Sequence, residues 1–243
     1  MRENFLKTYW SKLASMICVA ALVLLLTSCL DDDDQATDPL PVAYVSIYHE
    51  SPDAPSLDVL VDGRPVNRLE FTDYTGYLNF YTGNRNFKVN SFNATNALID
   101  TTVNFVDGGF YSVFIVNNLS KVETLTLHDS ADSPAAGNAK VRFINLSPDA
   151  PALDVTGAEN SSPIFSNQTF KNPSAFSEID ASTSSFGVKS AGATDELLSV
   201  SDLDLDEGRF YTIVVRGFLT PPAGNNNTLN MEVIKHLSNR IWI

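Results

Sequence analysis

Beyond residue 40, apolar side chains recur at every second position over short stretches. Val141 and Phe143 alternate with Lys140 and Arg142, and Leu203 and Leu205 alternate with Asp202, Asp204 and Asp206. That is the period of a strand with one wet face. Residues 109–116 (GFYSVFIV) and 209–215 (RFYTIVV) are apolar on both faces, as central strands are. Turn residues interrupt the pattern about every 8 to 12 positions. No stretch after Cys29 carries an i, i+3, i+4, i+7 stripe, so the pattern predicts an all-β chain.

The pattern is written twice. SPDAPSLDV (51–59) returns as SPDAPALDV (147–155), eight of nine letters at a spacing of 96. Phe71, Tyr77 and Phe87 fall on Phe170, Phe176 and Phe186 at a spacing of 99, and Phe105, Gly108, Tyr111, Val113 and Ile115 fall on Leu205, Gly208, Tyr211, Ile213 and Val215 at 100. A period near 100 suits a small domain rather than a solenoid repeat. Glycine followed three residues later by tyrosine, then alternating aliphatics (Gly108 and Tyr111, Gly208 and Tyr211), resembles the tyrosine-corner strand of immunoglobulin-like and fibronectin-type sandwiches. The expectation is two tandem antiparallel β-sandwiches of about seven or eight strands each. They span 41–130 and 139–243, the second with a C-terminal tail that carries Trp242, and 131–138 links them.

Ahead of them the pattern changes. Arg2, Lys7 and Lys12 precede an apolar run from Leu13 to Leu26, then Leu26-Thr27-Ser28-Cys29. The run is shorter than the ~20 residues of a spanning helix and reads as a secretory signal over 1–28. The four residues ending at Cys29 resemble the lipobox of bacterial lipoproteins, which implies cleavage before Cys29 and acylation of its thiol. Residues 29–40 then form an acidic tether, and Asp31 to Asp34 resemble the export signal of surface lipoproteins in Bacteroidota-type Gram-negatives. A plain tether is the other reading, and a flexible acidic run holds no preformed metal cage. The implied location is a Gram-negative cell envelope, lipid-anchored in the outer membrane and surface-exposed.

Charge and cysteine content exclude several classes. Removing 1–28 leaves 13 basic and 28 acidic residues, a balance that repels nucleic acid and anionic headgroups. Attachment to the membrane therefore falls to the acyl chains. Cys18 leaves with the signal and Cys29 is acylated, so disulfides, cysteine catalysis and cysteine-ligated zinc are excluded together.

In SPDAP the prolines fix φ, and the serine and aspartate can each accept from a backbone N–H ahead. Ser51, Pro52, Asp53 and Pro55, and Ser147, Pro148, Asp149 and Pro151, thus read as rigid structural turns. A cation held by Asp53 and Asp58, or by Asp149 and Asp154, is the functional alternative. Val45, Ile47 and His49 ahead of SPDAPSLDVLVDG resemble a secreted bacterial family known only as domain of unknown function 4397. The resemblance implies two tandem copies, an extracytoplasmic setting and no assigned activity. Copy two departs from it: Asn145 stands for His49, and Val155-Thr156-Gly157 for the VLVDG continuation, so a role needing that histidine or Asp62 would exist once.

No signature of catalysis emerges. His49, His128 and His236 accompany no G-x-S-x-G elbow, H-E-x-x-H, P-loop or G-x-G-x-x-G. Residues 202–206 begin like an EF-hand loop, but Glu207 and Ile213 stand where it needs Gly and Glu, so they read as a strand instead. The chain is expected to need no cofactor or metal. The segment 71–87 crowds Tyr74, Tyr77, Phe80 and Tyr81 among Thr, Asn and Gly, which suits stacking on sugars. Tyr77 aligns with Phe176 and is expected in the core. Tyr74 and Tyr81 align with Pro173 and Asp180 and are the candidate ligand-binding residues, with fold packing or ordinary surface exposure as the alternative. Three functions follow in order: a non-enzymatic binding or adhesion module for an extracellular polysaccharide or matrix protein, a periplasm-facing structural or assembly component, and a hydrolase built on a β-sandwich.

Overall fold

The computed structural model of the chain describes residues 40–129, 132–157 and 162–237. The expected signal, Cys29, the acidic tether to residue 39 and the tail at Trp242 lie outside the described residues.

The first eight strands form one β-sandwich. They are β1 (Val42–His49), β2 (Leu57–Val61), β3 (Arg64–Leu69), β4 (Leu78–Tyr81), β5 (Gly83–Ser91), β6 (Ala97–Phe105), β7 (Phe110–Val116) and β8 (Glu123–His128). One sheet has the order β4-β1-β7-β8 and the other β3-β2-β5-β6. The next eight form a second sandwich: β9 (Asn138–Asn145), β10 (Leu153–Thr156), β11 (Pro163–Gln168), β12 (Ser177–Asp180), β13 (Phe186–Ser190), β14 (Glu196–Val200), β15 (Phe210–Arg216) and β16 (Asn230–Lys235). Its sheets run β12-β9-β15-β16 and β11-β10-β13-β14, the same order shifted by eight strands.

The fold class is all-β, as the alternation required. Pairing is antiparallel with one departure in each copy: β1 lies parallel to β7, and β9 parallel to β15. Each strand reverses the direction of the one before it, so β7, six strands after β1, runs parallel to it, while β4, three strands after, runs antiparallel. Parallel and antiparallel neighbours share the period of two, so alternation cannot tell them apart.

Each sandwich encloses its own core. Val45, Ile47, Leu57, Val59, Phe87, Phe105, Val113 and Ile115 fill the first, and Val141, Phe143, Leu153, Val155, Phe186, Ile213 and Val215 the second. Tyr111 and Tyr211 close the corners. Tyr111 Oη accepts from Val106 N at 3.2 Å, and Tyr211 Oη from Asp206 N at 2.8 Å. Gly108 and Gly208 sit at φ +67° and +78°, the left-handed region in which a side chain is strained.

A third core joins the sandwiches. Tyr48, Phe114, Val116 and Leu127 of the first pack on Ile144, Leu146, Val214 and Ile234 of the second. The β1/β7 sheet therefore docks on the β9/β15 sheet. This is why β7 and β15 are buried at every position: alternate residues enter their own core and the shared one. It also corrects the wet face expected of β9, since Arg142 is 4% exposed and buried in the seam. The expected strand over 202–206 is a loop. Asp202 at φ +57° turns the chain, while Leu205 still points into the second core and Leu203 packs against it.

Candidate functional site

The SPDAP corners clamp the exit of the first strand to the exit of the seventh. Ser51 Oγ donates to Asn117 O at 2.5 Å, and Asp53 Oδ1 accepts from Leu119 N at 2.7 Å. In the second copy Asp149 accepts from Leu219 N at 2.7 Å and Thr220 N at 2.8 Å, and Ser147 Oγ donates to it. Asp58 accepts from Arg68 Nε and Asn93 N, and Asp154 from Asn167 N and Gly192 N. These carboxylates hold backbone N–H groups and, at Asp58, an ion pair. Among the described residues no group of three His, Cys, Asp or Glu is placed to hold a metal ion.

His49 and Asn145 do the same job with different chemistry. His49 Nδ1 accepts from Ser51 N at 3.3 Å and its Nε2–H donates to Pro55 O at 3.1 Å. Asn145 Oδ1 accepts from Ser147 N at 3.1 Å and its Nδ2 donates to Pro151 O at 3.2 Å. An amide offers the same acceptor and donor as a neutral imidazole. Burial accordingly pushes the His49 pKa down, keeping the ring neutral. Asp62 does act once: it forms the β2–β3 turn with Gly63, both at positive φ, and binds Arg85 Nη1 and Asn86 N.

Tyr74 and Tyr81 are 57% and 56% exposed and lie on the outer face of the β1/β7 sheet. Tyr81 pairs with Val42 and Tyr74 bridges to Tyr48, so six positions of β1 separate them, roughly 20 Å. One small ligand cannot touch both. Tyr74 stacks on Tyr48 at 5.4 Å, and Tyr48 on Phe114 at 4.8 Å. Phe80 packs against the first core. Tyr77 does not join that core: its ring meets Phe110 edge-on, outside the sandwich, and its hydroxyl enters the seam.

The seam holds a polar network that the repeat pattern did not reveal. Arg142 Nη2 donates to Asp129 Oδ1, and Asp129 Oδ2 accepts from Tyr77 Oη and Ser112 Oγ, each at 2.8 Å. Arg142 also donates to Thr212 Oγ1 at 2.8 Å and His128 O at 2.7 Å. His236 bridges Tyr77 Oη at 2.9 Å through Nδ1 and Thr212 Oγ1 at 2.6 Å through Nε2. Since Tyr77 gives its proton to Asp129 and Thr212 accepts from Arg142, donor counting makes His236 neutral with its proton on Nδ1. Burial agrees, depressing the His236 pKa to about 4 against the pull of Asp129. Glu50 and Arg216 form a second buried pair across the seam at 2.9 Å. Burial raises the Glu50 pKa to about 7, with Arg216 opposing. The sequence signal that could have found this network lies in the differences between the copies, where a polar residue of one meets its diverged counterpart.

Hollows open to ligands among the described residues include two of note. A cleft of about 210 Å³ lies at the seam between Ser46, Tyr48, Tyr74 and Tyr77 on one side and Glu232 to Lys235 of β16 on the other. A shallower groove of about 810 Å³, rich in hydroxyls from Thr156, Ser184, Ser185 and Ser199, lies on the second sandwich.

The family model of domain of unknown function 4397 matches residues 43–156, from β1 through β10. No curated protein matches the chain. Among solved structures it is similar to family 41 carbohydrate-binding modules of streptococcal virulence factors, reported for alpha-glucan recognition, at 12% identity and a TM-score of 0.24 over 71% of this chain and 93% of that one. A candidate cell adhesion protein from Bacteroides eggerthii aligns at 10% identity and a TM-score of 0.21, covering 81% of this chain and 96% of that one. A candidate adhesin from Bacteroides ovatus aligns at 10% and 0.19, covering 83% and 97%.

Proposed function

We propose that the protein is a non-enzymatic lipoprotein of a Gram-negative envelope, anchored through acyl chains on Cys29 and displayed at the cell surface as a binding or adhesion module. Its ligand is a glycan or matrix polymer. The observation that carries this reading is the pair of exposed tyrosines, Tyr74 and Tyr81, on one sheet face at positions where the other copy has Pro173 and Asp180. Their separation suits an extended polymer that meets each ring in turn, with ring faces toward C–H edges. The acidic surface favours a neutral or basic polymer over a sulfated or uronic one.

Retention on immobilised neutral and basic polysaccharides and on matrix proteins tests it. Tyr74→Ala with Tyr81→Ala should abolish retention on whichever polymer holds the wild type, and undiminished retention overturns the reading. Protease shaving of intact and lysed cells, with Cys29→Ala as the anchoring control, tests the location. The second reading, a structural component facing the periplasm, draws on the SPDAP carboxylates being spent on internal contacts. Digestion only after lysis would favour it.

A further inference from the structure

The two halves of the seam are related by the duplication, and they differ at one place. Ser46 of β1 and Arg142 of β9 are equivalent, as are Tyr77 and Phe176, and Ser112 and Thr212. Lys235 corresponds to His128, since each pairs with the corner tyrosine of its own copy. In one half the Arg142 guanidinium lies 4.8 Å from the Phe176 ring centre and bonds His128 O, Thr212 Oγ1 and Asp129. In the other half the short Ser46 leaves the 210 Å³ cleft, bordered by Tyr77 and Lys235, the counterparts of Phe176 and His128. Ser46 is fully buried at its floor, and its Oγ closes no hydrogen bond although the Tyr48 phenol is close.

We propose that this cleft binds the guanidinium of an arginine side chain presented by a partner protein. The tyrosine faces supply the stacking surface that a planar cation prefers. Ser46 contributes by being short: fully buried beneath the cleft, it leaves open the room that Arg142 fills in the other half. The carboxylate that Asp129 provides to Arg142 has no counterpart at His236, but Glu232 lines the cleft where the other half has Leu125. Glu232 is 38% exposed and shares its charge with Arg216, and the Lys235 ammonium is held by Asp206. Arginine suits the cleft better than lysine, because a compact ammonium lacks the planar fork that Arg142 uses in the equivalent place. The inference goes beyond the polymer reading and does not involve Tyr81.

The test is a titration of the full chain with a short peptide amide containing one arginine, followed by tyrosine fluorescence. The same peptide with lysine, and glucose, serve as comparisons. Saturable binding by the arginine peptide is expected, at least fivefold weaker for the lysine peptide and for Glu232→Gln, and unchanged by Tyr81→Ala. Ser46→Arg should place a guanidinium in the cleft from within, raise the melting temperature and abolish binding. If that variant does not fold, Glu232→Gln decides alone. An absent response, a response equal for lysine, binding insensitive to Glu232→Gln, or binding of glucose in place of the peptide would overturn the proposal. Tyr81→Ala separates the two readings: loss of arginine-peptide binding in that variant overturns the cleft proposal and leaves the polymer reading standing, while undiminished polymer retention counts against the polymer reading alone.

Discussion

Asp129 and His236 occupy the same place in the two sandwiches, one residue past β8 and one past β16, and they meet across the seam with His236 Nδ1 3.8 Å from Asp129 Oδ2. A position present twice has become an acid in one copy and an imidazole in the other. Its neighbours diverged with it: Tyr77 against Phe176 and Ser46 against Arg142. A docking face carrying identical residues would have set like groups against like. The divergence makes the two faces complementary and binds the copies into one unit.

Asp129 sits at the centre of that polar docking. It is 1% exposed and faces Arg142, Tyr77 and Ser112. Truncating it leaves the guanidinium buried without its carboxylate, which costs about 3 to 5 kcal/mol. Asp129→Ala should lower stability by that amount in urea unfolding, and Arg142→Met added to it should restore part of the loss. A cost below about 1 kcal/mol would mean water reaches the pair.

The equivalence of His49 and Asn145 gives a second expectation. His49→Asn keeps an acceptor for Ser51 N and a donor for Pro55 O, so at neutral pH it should change stability by less than about 1 kcal/mol. His49→Ala strands the buried Ser51 N–H, while the carbonyl of exposed Pro55 can turn to water, and should cost about 1 to 3 kcal/mol. Equal losses in the two variants, by thermal or urea unfolding, would show that the ring's packing against Phe71 matters more than its nitrogens.

Much of this fold was legible in the chain because period two and the recurrence of Phe, Gly and Tyr report which residues share a face. The corner roles of Tyr111 and Tyr211 and the turn role of SPDAP come from residue chemistry that acts locally. What covers a face does not come from alternation, and so Arg142 looked wet and Tyr77 looked like core. The substitution of Asn145 for His49 confined any role special to that histidine to one copy, although the two side chains share a hydrogen-bonding pattern. The loop at 202–206 misled for a related reason: Leu203 and Leu205 point inward as strand residues would, while Asp202 turns the backbone out of the ladder.

At the tyrosine corners the cost should be small and alike in both copies. Val106 is 55% exposed, so its N–H can turn to water when Tyr111→Phe removes the acceptor. A loss of about 0.5 to 1.5 kcal/mol is expected there and for Tyr211→Phe. Gly108→Ala forces a side chain into a left-handed turn and should cost about 1 to 2 kcal/mol. Urea midpoints with unchanged slopes would check all three.

Acid sensitivity should come from the seam, with two buried groups acting in opposite directions. The folded His236 pKa is about 4, below the ordinary 6.5, so the unfolded chain takes up the proton first and stability is lost as pH falls from about 6.5 to 4. The full effect is on the order of 3 kcal/mol. His49, also depressed by burial, adds to it with the same sign. The folded Glu50 pKa is about 7, above the ordinary 4.5, so the folded chain holds that proton longer and stability is lost as pH rises from about 4.5 to 7. The wild-type curve is therefore flattened by cancellation, and single variants should expose each slope. His236→Gln should make stability fall more steeply with rising pH between about 4.5 and 6.5, because the Glu50 contribution is less opposed. Glu50→Gln should leave a curve that climbs steadily from pH 4 to above 6. Urea unfolding at half-unit pH steps measures both, and variant curves parallel to the wild type would show that these groups titrate alike in the folded and unfolded chains.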